Sequence, residues 1–450
     1  MLCVWNLVLP PYFLLEGIDT IPFPCQLGFL CGMLYQRNIL HSIQRFQSTM
    51  ALEKQAKLAR LTCLTGRFLM QQIALEKESA TSVRTHNYGV DSMKIASMFM
   101  VVVLHVLGQG GILQTAAVGT INYYLAWTLE IAAFCAVNCF ALTSGYLSID
   151  REIRYSKLIL LWLQVAVYSV GITFLFWLVR PDTVSFSQAI HSFFPVLSAS
   201  YWYFTAYFGL FFFTPFINKL FHCLSKAELN RLLITIFLLL SVLPLLTQKN
   251  LFELSKGYSM TWLCALYIIG AYLKTYQVLP RLRAGNFGLY LLMIGIVCFS
   301  RFVLEAISPV LGLEPFYTLL FVSYTSPFIL LAAVFLFLFF SRLQFKATWS
   351  KHIVGFFAPI SFGVYLIHTH PFVWNHLLID RFARYATLSP LFMLGSILLT
   401  ATLIFISCAL LDFLRNQLFL LFRIPRLTQY LERQCAKAVS SLRTSEKPES

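Results

Sequence analysis

The stretch DSMKIASMFMVVVLHV, residues 91–106, decides the fold. Between Lys94 and His105 it carries ten residues without a charge. The whole chain, 450 residues long, is 58% hydrophobic and only 12% charged. Soluble domains carry roughly a quarter charged residues, so this chain cannot cover a water-facing surface. The stretch therefore reads as a membrane helix, yet such a helix needs neither a lysine at its mouth nor an imidazole deep inside it. Eleven residues turn a helix through about 1100°, within about 20° of whole turns, so Lys94 and His105 share one face. At 1.5 Å rise per residue they stand about 16 Å apart.

Outward from this stretch, long apolar runs alternate with short charged breaks. Spans are expected at roughly 92–112, 122–147, 156–179, 201–221, 230–247, 258–276, 286–304, 318–341, 353–376 and 389–414. The fold class is thus an all-α integral membrane protein, a bundle of about ten transmembrane helices over residues 86–415. Pro215, Pro244, Pro327, Pro359 and Pro371 fall inside spans, where neighbouring helices and local kinks tolerate them. SFSQAIHSFFPVLSAS, ahead of the fourth span, is too short and polar to cross and reads as re-entrant or interfacial.

Charge orients the bundle. Breaks after even-numbered spans carry Arg151, Arg154, Lys157, Lys219, Lys226, Arg231, Lys274, Arg281, Arg283, Arg342, Lys346 and Lys351. Breaks after odd-numbered spans hold half as many: Arg180, Lys249, Lys256, Arg301, Arg381 and Arg384. The positive-inside rule then puts both termini in the cytoplasm. The tail, with Arg415 and then Arg423, Arg426, Arg433, Lys437 and Arg443, agrees and makes 416–450 a basic cytoplasmic tail. The net charge of +15 follows from these juxtamembrane cations; no basic, aromatic-interleaved soluble domain suggests nucleic acid.

Residues 1–85 read as an N-terminal extension, cytoplasmic or on the membrane surface. The start lacks a basic n-region and a small-residue cleavage site, so it is a poor signal peptide. Residues 50–80 have the pattern of a basic amphipathic helix, fit to lie on an anionic membrane or to be an extension with little function. Cys135 and Cys139 share a helix face but read as small packing residues, and no metal site is expected.

Polar groups inside the membrane are costly and are functional candidates by default. A lysine at a helix mouth is explained by snorkelling; a histidine at mid-depth on the same face is not. A neutral imidazole in a dry site is a good general base for a hydroxyl acceptor. A cation about 16 Å away suits a long donor with an anionic head and a reactive tip. Coenzyme A thioesters have that shape, though spacing alone does not name them. Glu130 can pair with His105, contact the acceptor or bond another helix. His368, beside His370 and Tyr365, is a candidate for the site or for interfacial packing. Trp202 and Tyr203, with Tyr207, can stack on a sugar ring or form an aromatic belt. No P-loop, GxSxG, HExxH or GxGxxG is present.

The basic residue, ten positions and histidine of the first span resemble the opening of the membrane-bound acyltransferase-3 family. HVLGQGGIL (105–113), VNCFALTSGYL (137–147), YWYFTAYFGLFFFTPFINKL (201–220), GYSMTWLCALYIIGAYL (257–273) and ISFGVYLIHTHPF (360–372) resemble its further blocks, in order. The branch most similar is the one that O-acylates surface polysaccharides. The resemblance implies a multi-pass enzyme of a bacterial plasma membrane. It would move an acyl group, usually acetyl, from cytoplasmic acyl-CoA (acetyl-CoA) to a hydroxyl of a surface polysaccharide or its polyprenyl-linked precursor. On that basis His105 is catalytic and Lys94, Arg151 and Arg154 bind the donor, the arginines by forked hydrogen bonds to phosphate or as plain membrane anchors. Asn138, expected at the substrate, stands where many members have aspartate. The alternative is a secondary transporter or flippase for a lipid-linked sugar. The lack of an internal repeat answering MKIASMFMVVVLH counts against it.

Overall fold

The computed structural model describes residues 86–276, 283–312 and 318–445. The N-terminal extension, its amphipathic segment and Arg281 lie outside the described residues. Regular structure among the described residues is all helical, with no strand. The helices, in order, are α1 (Tyr88–Leu107), α2 (Ile121–Ala133), α3 (Ala136–Ser148), α4 (Tyr155–Val179), α5 (Phe186–Ser192), α6 (Trp202–Cys223) and α7 (Lys226–Thr247). There follow α8 (Met260–Tyr276), α9 (Arg283–Leu311), α10 (Pro327–Ser341), α11 (Thr348–Phe357), α12 (Ser361–His368), α13 (Pro390–Leu421) and α14 (Ile424–Ser445). Among the described residues, seven segments are long and apolar enough to cross a membrane: α1, α2–α3, α4, α7, α9, α11–α12 and α13.

Two expected spans are broken helices. Pro359 has no amide hydrogen and clashes with the carbonyl four residues before it, so α11 stops and α12 restarts at Ser361. The break between α2 and α3 has no proline or glycine to announce it. In α7 a wide turn, Leu238–Val242, precedes Pro244 and lets Ser241 bond the Thr325 carbonyl at 2.6 Å. The segment ahead of α6 holds α5, capped by a reciprocal Ser185–Gln188 box, and exposes Phe186 and Leu197.

α1 runs through the middle, touched by α2, α3, α10, α11, α12 and α13. The outer faces of α4, α9 and α13 present Phe174, Trp177, Leu292, Phe299, Leu399 and Leu403 outward, a surface suited to lipid rather than water. The tightest crossing is α3 on α8. A Cβ on Gly145 would stand 1.9 Å from the Tyr267 carbonyl oxygen, and one on Gly270 would stand 2.1 Å from that of Leu142. Small residues at such crossings let backbones meet in a membrane. Gly145→Val is therefore expected to cost about 1–3 kcal/mol through overpacking, read as a lowered midpoint in thermal unfolding of the nanodisc-embedded protein; an unchanged midpoint would contradict this packing.

Two arginines that sequence places outside the spans, Arg301 in a break and Arg415 in the tail, lie well inside long helices with little exposure. Arg301 is within α9, only 4% exposed, its guanidinium 3.6 Å from the Trp127 ring centroid and bonded at 2.7 Å to the Tyr123 hydroxyl. Arg415 is within α13 and grips Asp412 with both carboxylate oxygens at 2.8 Å. Buried arginines survive in such places only with partners, which hydropathy cannot foresee.

Candidate active site

His105 sits in the last turn of α1, where Gly111, at φ +88°, turns the chain out of the helix. That turn is pinned by the Asp380 and Phe382 amides, which donate to the Gln109 and Gly110 carbonyls, each at 2.9 Å. The His105 Nδ1 lies 2.8 Å from Nε2 of His368, the last residue of α12. The other nitrogen of His368, Nδ1, lies 2.5 Å from the Val364 carbonyl oxygen. A carbonyl only accepts, so His368 Nδ1 carries its proton and His368 Nε2 is left to accept. His105 Nδ1 must then be the donor, which leaves a lone pair on His105 Nε2. That nitrogen has no hydrogen-bond partner among the described residues. Trp374 packs edge-on against the imidazole, ring centroids 4.7 Å apart.

His105 lines a cavity of about 350 Å³ in the interior of the bundle. Ser97, Val101, Leu104 and Gly108, at helical spacing, form its α1 wall. Glu130 reaches it from α2, Phe140 from α3, and Trp202 and Tyr203 from the start of α6. Tyr258, Tyr324 and Tyr365 complete an aromatic lining, with Trp202 stacked on Tyr324 at 6.2 Å. Polar atoms are left over here: Ser97 Oγ, Glu130 Oε2 and the Tyr203 hydroxyl are buried without hydrogen-bond partners among the described residues.

A second cavity, about 100 Å³, is lined by Arg151, Arg154 and Lys157 together with Glu152, Tyr207 and Tyr267. The two cavities follow one another along α6. Tyr203 faces the first and Tyr207 the second, one turn or about 6 Å further on. Lys94 lines neither. It is held by Asp91 at 2.8 Å, and Asp91 also meets His86 at 2.6 Å. It nonetheless continues the α1 stripe one turn below Ser97, at the same end of the bundle as the basic cavity: the Asn87 side chain, just before α1, donates to the Ser341 carbonyl at the end of α10, and Phe337 near that end packs on Tyr146 of α3, five residues before Arg151.

A family model described as an acyltransferase domain matches residues 87–411, most of the chain. The chain belongs to the acyltransferase-3 family. No curated protein and no solved structure matches it. As a member of this family it is a multi-pass membrane acyltransferase, with an acyl donor and an acyl acceptor as its substrates.

Within this acyltransferase the expected site residues divide. His105, Glu130, Trp202 and Tyr203 share the first cavity, and Arg151 and Arg154 share the second. His368, expected at the substrate, is 1% exposed and stands behind His105 instead, because its Nε2 is taken up by that imidazole. Asn138 is also absent from the cavity lining. Its Oδ1 accepts from the Trp262 indole at 3.0 Å and its Nδ2 donates to the Tyr324 carbonyl at 2.8 Å, so the amide braces one wall from behind. An aspartate there can accept from the indole but offers the carbonyl no donor unless protonated. Sequence reasoning missed Ser97, Tyr258, Tyr324 and Trp374 as wall residues. Of these, Ser97 lies in the quoted 91–106 stretch, one turn from Lys94, and Tyr258 in the quoted GYS block; Tyr324 and Trp374 carry no local signal, since an aromatic in an apolar run reads first as belt or packing.

Proposed function

We propose that this acyltransferase is an O-acyltransferase, moving an acetyl group from cytoplasmic acetyl-CoA to a hydroxyl of a surface polysaccharide or its lipid-linked precursor at a bacterial plasma membrane. The observation that carries this reading is the bare Nε2 of His105, held toward an aromatic cavity by the His368 relay. In the proposed reaction Nε2 takes the proton of the acceptor hydroxyl as its oxygen attacks the thioester carbonyl carbon. The C–S bond then breaks, and the departing thiolate takes that proton from the imidazolium. His105 lies in the last turn of α1 and His368 ends α12, so two helix C-termini face the transient cation, each worth about 0.3–1 kcal/mol and up to about 2 when partly buried. Glu130 Oε2 and the Tyr203 hydroxyl are the unsatisfied groups fit to orient the acceptor, and Trp202 offers a face to a sugar ring.

The donor's phosphates fit Arg151, Arg154 and Lys157, since forked guanidinium bonds match phosphate oxygens. Lys94 adds a cation at the same end if a phosphate displaces Asp91. Arg151→Ala together with Arg154→Ala should raise KM for acetyl-CoA about tenfold or more, each charge-assisted bond being worth about 1.5–3 kcal/mol before solvent screening, with kcat little changed. Lys94→Ala should move KM in the same sense. Initial rates with labelled acetyl-CoA in nanodiscs check this; an unchanged KM in both would return these cations to membrane anchoring. The transport alternative has no structural observation in its favour.

A further inference from the structure

A third cavity, about 410 Å³, lies between the end of α7, the segment that leads into α8, and the segment that leads into α10. Its position is set by helix lengths. The Asp150–Lys274 ion pair at 2.6 Å and Lys226 over the Tyr276 ring hold the start of α7 and the end of α8 at the basic-cavity end. The 22 residues of α7 then carry the chain about 33 Å away. The third cavity is therefore at the opposite end of the bundle from Arg151 and Arg154.

It shares a wall with the His105 cavity. Tyr258 and Tyr324 line the His105 cavity, while their neighbours Ser255, Lys256, Ser323 and Thr325 line the third. Nine of its fourteen lining residues are polar, Lys249 and Lys256 being the charged ones, although apolar atoms supply more of the exposed wall; beside it Glu253 accepts from the Asn250 amide at 3.1 Å. Ser326, 1% exposed, lines it too, and its Oγ has no hydrogen-bond partner among the described residues. Ser326 is the N-cap of α10 but its hydroxyl does not cap, so the positive end of a 15-residue helix meets the cavity beside an unused hydroxyl. The volume falls within the range of about 300–1,000 Å³ usual for small-ligand sites, and the Lys249 ammonium and the unused Ser326 hydroxyl on a partly apolar wall suit an anionic ligand.

We propose that this cavity binds an anionic saccharide unit of the acceptor, one that carries a carboxylate or a phosphate and neighbours the unit acylated at His105. The inference rests on the acceptor's being a glycan, as proposed above. It makes the acyltransferase selective for acidic chains through a contact remote from the reacting atoms.

The test is binding, measured without acyl transfer. The full chain in zwitterionic nanodiscs is titrated with a glucuronate-containing disaccharide, a neutral disaccharide of the same size, and a glycosyl phosphate. The expected result is that at least one anionic probe binds about tenfold tighter than the neutral one, with an affinity that falls with salt. Whichever anionic probe binds tells a carboxylate-bearing chain from a phosphate-linked precursor. Lys249→Glu, an exposed position, should remove that preference, and Ser326→Ala should weaken the same probe several-fold. His105→Ala should leave binding intact. Equal binding of all three saccharides, or an anionic preference that survives both Lys249→Glu and Ser326→Ala, overturns the proposal. Release of CoA by the unmodified protein, followed in parallel with labelled acetyl-CoA and a mixed glycan acceptor, reports separately on the O-acyltransferase reading.

Discussion

Protein carrying His105→Ala is expected to lose acyl transfer by about 10²–10⁴-fold, the usual contribution of a positioned general base, while it still binds acetyl-CoA. The expectation follows from the hydrogen-bond chain. The Val364 carbonyl fixes the proton on His368 Nδ1, His368 Nε2 fixes the proton on His105 Nδ1, and the lone pair on Nε2 is left to His105, which lines the first cavity. The same chain gives a companion prediction that separates chemistry from binding. His368→Ala leaves His105 free to rotate and to exchange tautomers, so kcat should fall by about 10²-fold, the lower end of a general base's contribution, with KM for both substrates nearly unchanged. His368→Gln offers the His105 Nδ1–H an acceptor again and should restore part of that loss. Single-turnover rates with labelled acetyl-CoA in nanodiscs measure all three. Should His105→Ala transfer acetyl at the parental rate, the base lies elsewhere. Should His368→Ala and His368→Gln be equally impaired, His368 acts by packing rather than by holding the tautomer.

The second large effect concerns folding. Asp412, 0% exposed, accepts from Arg415, from the Gln164 amide at 3.0 Å and from the Tyr168 hydroxyl at 2.7 Å. It also packs on α12, where a Cβ on Gly363 would stand 2.1 Å from its carboxyl carbon. One carboxylate thus ties α4, α12 and α13 together, and α12 carries His368. Removing it leaves a guanidinium in a nearly dry site without its counter-charge, a loss of about 3–5 kcal/mol. Asp412→Ala should therefore yield little folded protein by fluorescence-detected size exclusion, and the surviving fraction should unfold at a clearly lower temperature. Asp412→Ala with Arg415→Leu removes both charges and should recover much of the yield, since an apolar replacement of a whole buried pair is often tolerated. Equal yields for Asp412→Ala and the parent would show that the cluster is not a clamp.

Much of the candidate site was legible along the chain, for a physical reason in each case. His105 stood out because an imidazole in ten apolar neighbours has a cost that needs a cause. Arg151 and Arg154 stood out as a basic pair at the mouth of a span, and the structure adds Lys157 beside them. His368 was visible as a candidate but not in its place. Whether it faces the substrate or the first imidazole depends on how α12 restarts after Pro359, and on which helix it meets there. Asn138 misled for a similar reason: its two partners, Trp262 and the Tyr324 carbonyl, are 124 and 186 residues away in sequence. The Asp412–Arg415 clamp was missed because Arg415 fell just past the expected end of a span at Leu414 and Asp412 only two residues inside it, whereas α13 continues to Leu421.

By itself the sequence determined that this chain is a helical membrane protein with a histidine in its first expected span, on the same face as Lys94, and it supplied the residues by which its family is known. Those are properties of composition and of helical period, which depend on near neighbours. The relay behind His105, the cavity it faces, the wall shared with a lysine-flanked cavity and the buried clamp were decided by tertiary structure alone. Each depends on side chains from helices distant in sequence meeting within about 3 Å, the range over which hydrogen bonds form, and no local pattern encodes which helices will meet.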